Sequence, residues 1–144
     1  MKLKVDNEAL AEEFFEGIRL IGIVCPQKDY QFCWNVNQYL QIDFRINHDL
    51  EVCLSRKGRN YFFPIYQFNE PVGALVHYLY NNQYDGEYLL PEFRHFDFIW
   101  LMRDDVISEE LLTELVNAIR LLPGVQVVSE ISPEKVKNKS HLII

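Results

Sequence analysis

The chain has 144 residues, 49% of them hydrophobic and 14% aromatic, which suits one cored domain over residues 1–144 and argues against disorder. A formal net charge of −7 argues against a nucleic-acid partner, which needs a basic face to neutralise phosphates. No apolar run approaches the roughly 20 residues of a membrane span, MKLKVDNEAL holds no signal-peptide core, and three cysteines at unrelated spacings fit free thiols in a reducing cytoplasm.

Residues 1–5 alternate enough for a short strand, and Asp6 or Asn7 caps a predicted helix running to Phe14. Gly17 ends it. IRLIGIV, residues 18–24, is a nearly continuous apolar run and predicts a buried strand, in which Gly22 implies a bulge or a close backbone approach. A helix is predicted over residues 28–40, with Cys33, Val36, Asn37 and Leu40 on one side and Tyr30 and Trp34 flanking it. Residues 41–47 lead out as an extended connection. Strands are then expected at 50–55 and 61–68, joined by a Gly58 turn, and Pro64 demands an edge position or a bulge.

A third meander strand is expected over 72–80, followed by a polar loop with an Asp85–Gly86 turn signal. The chain is organised around LLPEFRHFDFIWLM, residues 89–102. Residues 96–102 of it predict the central strand, with Phe96, Phe98, Trp100 and Met102 on one face and Asp97, Ile99 and Leu101 on the other. Ser108 is a good N-cap, and Glu109 and Glu110 suit the dipole of the helix that follows. Leu111, Leu115, Ala118 and Leu122 trace one face of this helix, widened by Leu112 and Ile119, and Pro123–Gly124 ends it. A last strand over 125–131 precedes a tail with Lys135, Lys137 and Lys139.

Strand and helix recur at the same offset of 79 residues, Leu20 to Ile99 and Asp29 to Ser108. The expected architecture is therefore α+β, a two-layer sandwich. A mostly antiparallel sheet carries two main helices on one face, with a pseudo-twofold strand–helix repeat.

LPEFRHFDF, residues 90–98, resembles the signature of the IPExxxVDY family of small bacterial proteins, found largely in Bacteroidetes. Pro91, Glu92 and Asp97 match it outright, whereas Leu90, Phe96 and Phe98 replace Ile, Val and Tyr with residues of like character. LIGIVCPQKDYQFCWNVN and VKNKSHLII are similar to the family's strand–helix segment and its lysine-rich, apolar C-terminus. The resemblance implies a bacterial cytoplasmic setting and a full domain. It carries no activity, cofactor or catalytic residue, and Phe98 lacks the signature tyrosine's hydroxyl.

Glu92 and Asp97 flank a strand entrance and, with Arg94 between them, form the candidate small-ligand or enzymatic site. An acid–base pair must converge to within about 5–9 Å. The alternative is structural, with Glu92 capping backbone amides and Asp97 pairing with Arg94 or a lysine. Cys25 precedes a helix that can lower a thiol pKa, but no histidine has a diagnostic spacing to it, and a buried inert thiol is the weightier reading. Cys33 and Cys53 are read as core. His48, His77, His95 and His141 are scattered, no metal spacing exists, and the glycines form no phosphate loop, so no cofactor is implied. The meander is crowded with aromatics, and alternation buries only half of them under helices. The rest either form an open aromatic sheet face or lie beneath a terminal segment. The leading expectation is a non-enzymatic protein-interaction or self-association module, homo-oligomeric or bound to another protein, that uses this face.

Overall fold

Two apolar segments, RLIGIV and FIWLMR, pair antiparallel at the centre of the sheet, with Ile21 opposite Trp100. The structure is a computed structural model that describes residues 17–142, so the strand and helix expected over residues 1–14 lie outside the described residues. The strands are β1 (Arg19–Val24), β2 (Arg45–Arg56), β3 (Arg59–Asn69), β4 (Val76–Asn81), β5 (Gln83–Tyr84), β6 (Glu87–Tyr88), β7 (Phe98–Arg103) and β8 (Val127–Ile131). The helices are α1 (Asp29–Leu40) and α2 (Glu109–Arg120). Six strands form one sheet in the order β2-β3-β4-β7-β1-β8, every neighbouring pair antiparallel, while β5 and β6 make a separate hairpin. This is the expected α+β sandwich, with two helices on one sheet face.

That face is filled by Ile21, Ile23, Phe98, Trp100 and Met102 from the central strands, against Phe32 and Val36 of α1 and Leu112 and Ile119 of α2. Phe32 stacks on Phe98 with ring centroids 4.4 Å apart. Ser108 caps α2 by accepting from the Leu111 backbone N–H, as its position before two glutamates predicts.

The opposite face is also covered. Leu20, Phe63, Ile65, Tyr80, Ile99 and Leu101 pack against Leu89, Leu90 and Phe96 from the turn before β7, and against Val136 and Leu142 from the tail. The Tyr80 hydroxyl donates to the Leu142 carbonyl at 2.8 Å. Tyr61, Phe63, Tyr78 and Tyr80 are buried, which corrects the expectation of an open aromatic sheet face. The reason is the second apolar face of β7: no α-helix among the described residues reaches it, and the turn and tail form a strap over it.

Several local expectations change. Phe96 packs on the strap side, away from Phe98, Trp100 and Met102, because β7 begins at Phe98 and Phe96 sits in the turn before it. Pro64 lies in β3, an interior strand. Its missing N–H is tolerated because β4 pairing starts only at Ile65 and the β2 register shift lies between Ile46 and Glu51. Cys53 is exposed on the edge strand β2. Leu111 is 56% exposed, because the buried stripe of α2 centres on Leu112 and Ile119. The repeat is real in length: β1 and β7 have 6 residues each, and α1 and α2 have 12 each. It ends after the helices, since α1 leads to the far edge strand β2 and α2 to β8 beside β1.

Gly22 marks a close approach. A Cβ there would stand 2.5 Å from the Phe96 ring, which lies flat over the strand. Gly22→Ala forces that ring off β1 and is expected to lower stability by about 1–3 kcal/mol, the usual penalty for overpacking a filled core. An unchanged urea midpoint would show that the ring does not seal this face.

Candidate functional site

Pro91, Glu92 and Asp97 do different work. Pro91 opens a single 3-10 turn, Pro91–Phe93, which throws Glu92 toward the tail. Glu92 Oε2 accepts from the backbone N–H groups of Lys137 (2.7 Å) and Asn138 (2.9 Å), and Oε1 accepts from the Asn138 side-chain amide (2.8 Å). Asp97 turns the other way: its Oδ2 accepts from the Cys25 backbone N–H at 2.7 Å, closing the end of β1. Arg94 is exposed. Glu92 and Asp97 thus bond to different segments, the tail and the end of β1; the capping role was foreseen for Glu92, while Asp97 pairs with a backbone amide instead of a basic side chain.

Asp97 does border a polar cleft of about 540 Å³, together with Gln27, Lys28, Asn81, Gln83 and Tyr84. Its carboxylates are already engaged, Asp29 by the Tyr66 hydroxyl and Asp85 by Arg59. Among the described residues no group of three or more His, Cys, Asp or Glu side chains is arranged to hold a metal. Cys25 is fully buried, and burial, reinforced by Asp97, pushes its thiol up to about 11. It is therefore a protonated, unreactive group at neutral pH.

A different site lies between the helices. Leu40 and Ile42 at the end of α1, Phe68 of β3, and Leu111, Leu115 and Ala118 of α2 enclose a groove of about 280 Å³. His77 and Trp100 form its floor, and Glu70 and Glu114 complete the lining. The floor is aromatic. Phe44 meets Trp100 edge-on at 5.0 Å, and His77 meets Trp100 edge-on at 5.8 Å between centroids.

His77 is 4% exposed, and both ring nitrogens are satisfied. The Trp100 indole N–H donates to His77 Nδ1 at 2.9 Å. An indole nitrogen can only donate, so Nδ1 is the acceptor and the neutral ring carries its proton on Nε2. That N–H donates to Glu70 Oε1 at 2.9 Å. Burial holds the imidazole below the usual histidine range and outweighs the opposing pull of the Glu70 carboxylate. The chain Glu70–His77–Trp100 thus puts a neutral, oriented imidazole under an apolar groove. Sequence reasoning passed over it because the three residues come from a turn and two different strands; the visible signals were a histidine and a tryptophan inside apolar strand runs.

No family model and no curated protein matches this chain.

Two outcomes follow from these networks. Glu92 is held below the usual carboxylate range. Burial alone would raise it, but the N–H groups of its own backbone, of Asn138 and of Lys137 outweigh that. Its contribution is complete above the unfolded value of about 4.3 and disappears as pH falls through the lower folded value. Glu92→Ala is expected to lower stability at neutral pH by about 1–2 kcal/mol and to speed hydrogen exchange at the Lys137 and Asn138 amides, leaving α1 unchanged. Unaltered exchange at those amides would mean that the carboxylate does not hold the strap. For His77 the sign is opposite in origin: the unfolded ring gains a proton near pH 6.5 while the folded ring resists it, so stability declines as pH drops below about 6.5. Nitrogen NMR should find Nε2 protonated at neutral pH and a titration below that value; a titration above it would contradict the assigned network.

Proposed function

We propose that this domain is a non-catalytic protein-interaction module, and that the groove between α1 and α2 receives an apolar side chain from a segment of its partner. The observation that carries this reading is the groove itself. It is concave, largely apolar, floored by an aromatic layer, and supplied with one perturbed, hydrogen-bonded histidine, the usual make-up of a recognition pocket. Its volume suits one large side chain better than a whole cofactor. Leu111, on the groove's wall and 56% exposed, adds apolar surface of the kind that surrounds an anchor residue.

Nothing in the groove argues for turnover. His77 lends its acceptor to Trp100 and its donor to Glu70, so neither nitrogen is left to move a substrate proton. The buried thiols are likewise no nucleophiles.

Membership of the IPExxxVDY family and a cytoplasmic setting belong to the same proposal. They are supported by the structural work of Pro91, Glu92 and Asp97, and by the unpaired state of Cys25, Cys33 and Cys53. No helix among the described residues is long and apolar enough to cross a membrane.

Selection of displayed random peptides on the purified protein tests the reading. The enriched sequences should share one large apolar residue and lose binding at least tenfold to the Leu111→Asp variant, whose exposed position leaves the fold intact. Enriched peptides that bind the variant as well as the parent would place recognition elsewhere.

A further inference from the structure

We infer that the segment received by this groove carries a lysine or arginine beside its apolar anchor. The inference rests on the groove being the recognition site, and it names the partner's chemistry. The lining holds two carboxylates, Glu70 and Glu114, and neither lysine nor arginine. Glu70 spends one oxygen, Oε1, on His77, and its side chain is 38% exposed at the mouth. That leaves its second oxygen for solvent or for a group on whatever occupies the site. Glu114 is exposed on α2 one turn beyond Glu110, so the α2 side of the mouth is acidic as well.

His77 cannot neutralise these groups. Protonating it would place a hydrogen on Nδ1, against the Trp100 indole N–H that already points there. A segment that covers the groove removes water from Glu70, and an uncompensated carboxylate at a drying interface opposes binding. An anionic or purely apolar occupant meets that penalty in full. An occupant with an ammonium or guanidinium group a few bonds from its apolar body turns the penalty into an ion pair and fixes its own orientation. The net charge of −7 adds long-range attraction for a cationic partner.

The test uses n-hexylammonium, n-hexanol and hexanoate as probes that share one apolar body and differ in head group. Binding is read from the indole N–H resonance of Trp100 in the full chain, with Trp34, exposed on α1, as the internal control. Hexylammonium should bind about tenfold more tightly than hexanoate, with hexanol between them and the preference shrinking as salt is added. In the doubly substituted Glu70→Gln, Glu114→Gln protein the three probes should converge to within about twofold. Equal binding of all three to the parent protein overturns the inference and leaves the groove reading standing. No response of Trp100 to any probe overturns both. The peptides enriched by selection separate the sources of the cation: a lysine or arginine within four residues of the apolar anchor supports a protein partner. Tight binding of the amine with no such enrichment points to a free amine and overturns the protein-partner assignment.

Discussion

Strand β7 is buried on both faces, and the rest of the structure answers that constraint. Phe98, Ile99, Trp100, Leu101 and Met102 are each at most 1% exposed, so the sheet needs a cover on both sides. On one side the two amphipathic helices supply it. On the other there is no α-helix among the described residues, and the LPEF turn with the C-terminal tail serves instead. This explains why a carboxylate at position 92 collects three N–H donors from residues 45 and 46 positions away: it fixes the strap whose Val136 and Leu142 complete the second core. It also explains Gly22, whose missing side chain lets Phe96 lie directly on β1 beside that strap.

The helical cover is incomplete, and the groove is the consequence. Helix α1 stops at Leu40 because Gln41 adopts a left-handed conformation and sends the chain toward the far edge of the sheet. Helix α2 turns its apolar stripe onto Leu112 and Ile119, so Leu111 faces outward and Leu115 and Ala118 stay half-buried. Between them the sheet surface over His77 and Trp100 is reached from outside. A buried imidazole at that point would be a liability without partners. Glu70 from the turn after β3 and the indole of β7 satisfy both its nitrogens and fix the tautomer, so the floor of the groove is a defined polar network within an apolar wall.

Much of the fold was legible in the sequence because each signal was local. The continuous runs of β1 and β7, the Ser108 cap and the repeated strand–helix spacing depend on residues within one or two turns of each other, and they gave the antiparallel sheet with two helices on one face. The structural role of Glu92 was also foreseeable as a cap, though not its partners, which lie in the tail. What escaped depends on contacts across the sheet. The strap over the aromatic face requires knowing that residues 89–96 and 136–142 meet. Leu111 looks like core by spacing, and only the rotation of α2 against β8 and β1 turns it outward. Glu70, His77 and Trp100 come together because β4 pairs with β7, placing His77 opposite Met102 and Leu79, two residues further along β4 on the same face, opposite Trp100. No spacing along the chain encodes that meeting.

The groove as recognition site is tested most directly by a crystal structure of the protein with a peptide selected for binding to it. An apolar side chain seated between α1 and α2, above His77 and Trp100 and beside Leu111, is the predicted result. A peptide lodged in the polar cleft at Asp97, or paired along the edge of β8 with the groove empty, would contradict it.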